Sequence, residues 1–270
     1  MLSYTVKFYG PGRSFPEADP SLILEPENFY PNMPHRIAYQ TDFNVPNSNA
    51  YNSNAHNTGL YLSNEMALLP RLKTTFGIRM EYYVQKHTGR DINYANGDTE
   101  NGNNLENDVV LESVDFFPSV NVIWSLKEEQ NLRASYSRTI ARPSFKEMSY
   151  AQILDPISDR IYNGSLFQYP DWNGQLVETR INNFDIRWEH FFGGGQNVST
   201  SAFYKTFDNP IELVRIREQQ TSTEYQARNV GNGSLYGFEI EANKNMAFLS
   251  PALEDFSLSG NVTFVWSQIE

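Results

Sequence analysis

Three charged residues on one predicted strand have a spacing that could support proton transfer. Asp185, Arg187 and Glu189 occupy every second position, so an extended strand places all three side chains on one face. Two carboxylates beside a positioning guanidinium could act as general acid and general base. Glu239 and Glu241 repeat this spacing on a later strand. We favour ion-pair ladders on the polar face of a sheet for both sets, and we expect no catalytic residue.

Motifs for phosphate and zinc chemistry are missing from the sequence. The glycine run 193–195 is followed by Gln rather than by the Gly-Lys of a phosphate-binding loop, so it predicts a tight turn. No His-Glu-x-x-His motif occurs, and no two histidines have the spacing of metal ligands. The absence of cysteine excludes disulfides, thiolate nucleophiles and Cys-type zinc sites. The four histidines are His35, His56, His87 and His190.

One segment, 91–108, has the Asp, Asn and Gly content of a calcium-binding loop. Such loops need oxygen ligands at defined spacing, and Ala95 stands where the pattern requires Asp or Asn. We interpret the segment as a solvated loop. We therefore expect no metal site and no cofactor.

A long segment at 141–178 carries aromatic side chains that could bind a ligand. Rings in loops of this length stack on sugars or on aromatic ligands, but they also pack against one another. The sequence leaves both alternatives open. The candidates are Tyr150, Tyr162, Phe167, Tyr169 and Trp172.

Alternation of apolar and polar residues predicts the strands that position these side chains. In segment 72–84, for example, Phe76 and Ile78 point to one face, and Lys73 and Arg79 point to the other. Helical spacing is almost absent. The pattern predicts about nine strands, at 3–8, 57–68, 72–84, 114–126, 131–140, 179–192, 197–207, 228–243 and 255–267.

Composition limits the class of protein. The chain has 270 residues, and its 21 Lys and Arg against 32 Asp and Glu give a net charge of −11, which argues against nucleic-acid binding. No apolar run approaches the roughly 18 residues that a membrane-spanning helix requires. Aromatic residues nevertheless make up 14% of a chain whose mean hydropathy is −0.53. Transmembrane strands explain this combination, because they alternate apolar and polar residues.

The predicted connections alternate between long and short. Segments 9–56, 85–113, 141–178 and 208–227 are long, whereas 69–71, 127–130, 193–196 and 244–254 are shorter. Up-and-down barrels of outer membranes show this asymmetry, with tight periplasmic turns at one rim and extended extracellular loops at the other. A soluble β-sandwich has no physical reason to keep one end tight. The sequence therefore predicts an all-β fold, a transmembrane antiparallel up-and-down β-barrel.

Eight short motifs follow one another in order over most of the chain from about residue 57 onward. They are LKTTFGIRMEY (72–82), FPSVN (117–121), LRASYSRTIARPSF (132–145), NNFDI (182–186), VSTSAFYK (198–205), NPI (209–211), GSLYGFEIE (233–241) and LSGNVT (258–263). Each motif is weak alone. Their combination resembles the β-barrel of TonB-dependent receptors from the outer membrane of Gram-negative bacteria.

The resemblance implies active uptake of a scarce nutrient, which binds at the outer face of the barrel before a plug domain moves under the pull of TonB. The implied partners are outer-membrane lipid, the TonB energy-coupling complex acting through the plug, and a small nutrient ligand; a surface lipoprotein is a further partner to test. Charged residues on the inner face become candidates for lining the lumen. These are Lys73, Arg79, Glu81, Asp185, Arg187, Glu189, Glu239 and Glu241.

Residues 1–270 show neither a plug nor a signal-peptide pattern, so we expect one partial barrel domain with about nine strands of a larger barrel. Two alternatives stay open: a passive porin, and a soluble β-sandwich that binds carbohydrate. The substrate stays open as well, among iron–siderophore complexes, cobalamin and glycans.

Overall fold

β-strands make up most of the computed structural model, which describes residues 4–9, 36–41, 49–155, 158, 160–218 and 223–269. The strands are β1 (Tyr4–Tyr9), β2 (Arg36–Thr41), β3 (Asn52–Leu69), β4 (Leu72–Arg90), β5 (Asn104–Lys127), β6 (Gln130–Ala141), β7 (Gln152–Asp155), β8 (Arg160–Asn163), β9 (Thr179–Gly193), β10 (Gln196–Asp208), β11 (Ile211–Glu218), β12 (Thr223–Asn229), β13 (Asn232–Asn245) and β14 (Ser257–Ile269). A four-residue helix, α1 (Ile92–Ala95), follows β4. Two 3₁₀ turns, Met246–Phe248 and Pro251–Leu253, separate β13 from β14.

Eight strands form one antiparallel sheet in the order β14-β13-β10-β9-β6-β5-β4-β3. Each strand pairs with the next long strand along the chain, which confirms the predicted up-and-down topology. The edge strands β3 and β14 each have one partner within the described residues, so the sheet is an unclosed part of a barrel. It is also a single sheet rather than two packed sheets, and this does not favour the sandwich alternative.

The ninth predicted strand, at 3–8, is present as β1 but lies outside this sheet. It pairs with β2 in a separate two-stranded sheet. The predicted loop 9–56 therefore contains β2 and the start of β3, and most of its remaining residues lie outside the described ranges.

Long and short connections alternate as predicted. β3–β4, β5–β6 and β9–β10 are joined by two-residue turns, whereas the loops at 91–103, 142–178 and 209–231 are long. Positive φ angles of 78°, 56° and 76° at Gly193, Gly194 and Gly195 confirm that the glycine run is a turn. We call the edge of the sheet that carries these turns the short-turn rim.

Two predicted segments have wrong boundaries. The loop predicted at 85–113 is only 91–103, because β4 and β5 continue past the apolar stretch as a paired extension whose inner row is polar, at Gln85 and His87. Arg228 belongs to β12 rather than to the predicted strand 228–243, and β13 begins at Asn232.

Apolar side chains cover one face of the eight-stranded sheet. The strand register aligns them in a row that runs across seven strands: Phe76, Val120, Tyr136, Phe184, Tyr204, Tyr236 and Trp266. The large exposed apolar side chains of the chain are 37% to 76% accessible. A continuous apolar surface of this extent requires an apolar medium, and a transmembrane barrel faces lipid in this way. No helix within the described residues has the length and apolar character needed to span a membrane.

A third sheet, in the order β11-β12-β8-β7, is built from the loops at 142–178 and 209–231. Its parallel β8–β12 pair joins the two loops to each other. Beside it lies a hydrophobic core formed by Tyr83, Leu111, Met148, Leu176 and Ala227. The long loops therefore fold as a packed unit against the extended ends of β4 and β5.

Substitutions on the two faces of β4 test directly which face of the strand contacts lipid. A Phe76→Lys substitution should destabilise the membrane-embedded protein by about 2 to 4 kcal/mol, because it places an ammonium group in hydrocarbon. Thr75→Lys, one residue earlier and on the opposite face, should have only a small effect. Denaturant unfolding of the full-length protein in lipid vesicles measures both free energies, and equal costs at the two positions would show that the assigned faces are wrong.

Candidate functional site: the polar sheet face and the long loops

An ion-pair network joins four neighbouring strands near the short-turn rim. Arg133 on β6 and Arg187 on β9 lie directly opposite each other in the register, where like charges repel. Glu189 offsets this repulsion, because it accepts hydrogen bonds from Arg133 Nε at 2.8 Å and from Arg187 Nε at 3.0 Å. Arg187 Nη2 also donates to Glu241 on β13 at 2.8 Å, and Ser199 on β10 donates to the same carboxylate at 3.3 Å.

The other predicted lumen residues on β9, β13 and the start of β4 have weaker partners. Lys73 pairs with Glu65 at 2.7 Å, but both side chains are half exposed, so the pair contributes little to stability. Asp185 accepts a hydrogen bond from Ser135 at 3.4 Å. Glu239 accepts one from the Asn261 amide at 3.4 Å. The strand register places all eight predicted residues on the face opposite the apolar row; their role in lining a lumen stays a prediction.

A second ion-pair network lies toward the long loops and centres on Glu81. This buried carboxylate accepts hydrogen bonds from Arg79 at 2.6 Å, from Arg142 at 2.9 Å and from the Asn57 amide at 3.1 Å. Arg142 also lies 3.8 Å from Asp115. Arg79 and Glu81 were identified from the sequence as site candidates, but the other members of this network were not. Asp115 did carry a signal, because it falls on the polar face of the predicted strand 114–126.

Arg142 connects this network to loop 142–178. It is the first residue after β6, and its guanidinium lies 4.3 Å from the centre of the Tyr83 ring, in a cation–π contact. At the other end of the loop, Arg180 contacts both Asp115, at 3.7 Å, and Glu178, at 3.3 Å. Both ends of loop 142–178 are therefore held against the sheet by charge.

The aromatic candidates in this loop lie in three contact groups. Tyr150 and Phe167 pack edge to face with ring centres 5.7 Å apart, and burial raises the pKa of the Tyr150 hydroxyl to about 12, with a smaller contribution from Asp91. Tyr162 stacks on Tyr225 of β12 at 5.9 Å. The rings thus pack against the loop structure itself, and ligand binding by the group stays a prediction.

Tyr169 and Trp172 form the third group, around Arg228. The Arg228 guanidinium lies 5.5 Å from the Tyr169 ring centre and 5.6 Å from that of Trp172. It donates to Asp171 at 2.7 Å, and this hydrogen bond lowers the pKa of the Asp171 carboxyl. The neighbouring Gln226 is fully buried and donates to the carbonyl oxygens of Gly164 and Phe167, at 3.0 and 2.8 Å.

Arg228 and Gln226 were not identified from the sequence. Both lie on β12, a short strand within a segment that the alternation pattern assigned largely to a loop. Their importance follows from the pairing of β12 with β8, which brings residues about 60 positions apart into contact.

The described residues contain no group of three or more His, Cys, Asp or Glu side chains that could hold a metal ion. In segment 91–108, the oxygens of Asp91 accept hydrogen bonds from the Tyr94 and Asn103 backbone amides at 2.9 and 2.8 Å, and Asp98 accepts from Asn101. These bonds stabilise α1 and its turn, which fits a structured, solvated loop.

The histidines lie apart from one another. His87 is buried, with a hydrogen bond to Ser53 of 2.7 Å, and His190 lies on the apolar face between Trp188 and Phe192. His56 is on β3, and His35 lies outside the described residues.

The family of the chain is decided by a match to a protein-family model. The model, described as TonB dependent receptor-like, beta-barrel, matches residues 11–269. The chain belongs to the TonB-dependent receptor family. This confirms the resemblance found in the sequence motifs, and the receptor barrel accounts for the apolar outer face and for the alternating connections. No curated protein sequence matches the chain.

Solved structures with the same fold are receptors and transporters. A mutant of the ferric enterobactin receptor PfeA from Pseudomonas aeruginosa is 17% identical, over 78% of this chain and 26% of its own, with a TM-score of 0.51. The copper transporter OprC is 14% identical, over 86% of this chain and 30% of its own, with a TM-score of 0.58. The siderophore receptor PirA from Pseudomonas aeruginosa is 14% identical, over 80% of this chain and 44% of its own, with a TM-score of 0.51.

The chain therefore spans between 26% and 44% of the length of these three structures. At such low identity the comparison shows a shared barrel fold. It supports the eight-stranded sheet as one part of a larger barrel.

A substitution of Arg142 tests how loop 142–178 is held against the sheet. Arg142→Met should cost about 1 to 3 kcal/mol, because it leaves the buried Glu81 and Asp115 carboxylates with fewer partners. Loop 142–178 should then be cleaved faster by added protease and exchange its amide hydrogens faster.

Arg138→Met is the matched control for this test. Arg138 lies on β6, four residues before Arg142, but it is exposed, and within the described residues it donates one hydrogen bond, to Asn182, at 3.3 Å. Loop cleavage in the Arg142→Met variant at the rate of this control would contradict the anchoring role of Arg142.

Proposed function

We propose that the chain forms part of the barrel of an outer-membrane receptor that takes up a scarce nutrient in a TonB-dependent manner. The single observation that carries this proposal is the family match over residues 11–269. The sheet geometry supports it, because one face is apolar and the other carries paired charges. We assign residues 1–270 to one partial barrel domain and place it in the outer membrane of a Gram-negative bacterium.

The nutrient that we propose is a small iron–siderophore complex. It binds at the rim of the barrel that carries the long loops, opposite the short-turn rim. Two of the structures that share the fold are named as a ferric enterobactin receptor and a siderophore receptor, and a third as a copper transporter. The rings of Tyr169 and Trp172 suit a planar aromatic ligand, and the buried Arg228 guanidinium, which is paired with Asp171, holds these two rings in place. Cobalamin and glycans are the competing ligand classes.

The proposed mechanism needs no covalent step in this part of the protein. The apolar face solvates the barrel in lipid, and the ion pairs of Arg187, Glu189 and Glu241 keep a polar, neutralised wall toward the lumen. We propose that energy coupling reaches this wall through a plug domain that contacts TonB. A surface lipoprotein that delivers ligand to the long loops is a further partner in this proposal.

Uptake assays test the proposed function. Cells with an intact gene should accumulate radiolabelled iron from a ferric siderophore at low external concentration, and deletion of either this gene or the tonB gene should abolish that accumulation. Labelled cobalamin and a labelled oligosaccharide serve as competing substrates in the same strains. Uptake that depends on this gene but continues without TonB, and that rises linearly with concentration, would instead show a passive porin.

A further inference from the structure

A cavity opens at the short-turn rim, far from the long loops. Its volume is about 370 Å³. It lies where the β5–β6 turn meets the β3–β4 turn and strand β9. The residues that border it are Arg71, Lys127, Glu128, Glu129, Gln130 and His190.

The cavity lies on the apolar side of the sheet. Gln130 and His190 face each other in the register, two residues beyond the Leu132–Trp188 pair, and therefore project from the same face as that pair. Trp124 on β5 lies on this face as well, because it is paired with Leu132. Trp residues at this height are typical of the boundary between hydrocarbon and headgroups. The cavity is therefore at headgroup depth, directly beside the lipid-facing row.

The four charged side chains around the cavity are available to a ligand. Within the part of the chain that the structure describes, Arg71, Lys127, Glu128 and Glu129 form no ion pair, although Arg71 donates one hydrogen bond to the Leu126 carbonyl at 3.3 Å. The inner face differs, because Arg79, Arg133 and Arg187 all contact carboxylates there. Two cations and two anions at one site match a ligand that itself carries both charges.

We infer that this cavity binds the headgroup of a phospholipid that carries a phosphate and a primary ammonium, namely a phosphoethanolamine lipid. Arg71 and Lys127 bind the phosphate by charge-assisted hydrogen bonds, and Glu128 and Glu129 bind the ammonium. An acyl chain then lies along Trp124, Leu132 and Trp188. This inference rests on the proposed placement in the outer membrane, where the short turns lie at the periplasmic leaflet.

Native mass spectrometry of the full-length receptor in mild detergent tests the site. The receptor is titrated with phosphatidylethanolamine, phosphatidylglycerol and phosphatidylcholine that have identical acyl chains. The wild-type protein should bind phosphatidylethanolamine most tightly. The double variant Arg71→Gln/Lys127→Gln should weaken that binding roughly five- to thirtyfold. Each cation near a lipid surface raises the binding constant by roughly two- to fivefold, and the variant removes two cations.

The second double variant, Glu128→Gln/Glu129→Gln, should reverse the preference in favour of the anionic phosphatidylglycerol, because only the phosphate-binding groups remain. A control variant, Lys205→Gln/Asp208→Asn, removes one cation and one anion from the half of β10 nearest the long loops and should leave the preference unchanged.

Equal binding of the three lipids by the wild-type protein, or an unchanged preference in both double variants, would overturn the site. A receptor that takes up its nutrient through TonB but shows no headgroup preference would overturn this inference alone. A protein that cannot be recovered folded in detergent or bilayers would overturn the proposed membrane placement instead.

Discussion

Hydrogen bonding between neighbouring backbones is the constraint on which the rest of this structure depends. In hydrocarbon, an unpaired peptide group costs several kcal/mol, typically about 4 to 8, so strands that span a bilayer must pair along their length. The eight-stranded sheet meets this requirement with a nearly continuous antiparallel register from β3 to β14. The same register fixes the side chains, since alternate residues must face opposite media. The apolar row from Phe76 to Trp266 and the ion-pair ladder on the other face are two results of one backbone arrangement.

Charge on the inner face is arranged so that each buried carboxylate has partners. Glu81 and Glu189 are both buried, and each accepts hydrogen bonds from two arginines. Removing one partner from such a group is costly, whereas the complete network neutralises itself. The network around Glu81 also reaches beyond the sheet, because Arg142 begins loop 142–178. Packing and charge therefore position the proposed ligand-binding loops on a rigid wall.

The barrel strands were predictable from the sequence because their alternation persists over ten or more residues, as in β4, β9 and β14. The strands that were missed, β2, β7, β8, β11 and β12, are four to eight residues long, and so short a run carries little periodic signal. The extension of β4 and β5 was missed because its inner row, with Gln85 and His87, is polar. Arg187, Glu189 and Glu241 were identified from spacing along single strands. Arg133, Arg142 and Arg228 depend on contacts between strands, which no single-strand pattern contains.

Site-directed spin labelling tests the assignment of the two faces most directly. The chain has no cysteine, so single substitutions such as Thr75→Cys, Phe76→Cys, Glu239→Cys and Ile240→Cys give specific labels. In lipid vesicles, nitroxides at Phe76 and Ile240 should be readily relaxed by molecular oxygen dissolved in the bilayer, whereas those at Thr75 and Glu239 should not. Equal oxygen accessibility at neighbouring positions on β4 and β13 would contradict a barrel wall with one face in lipid.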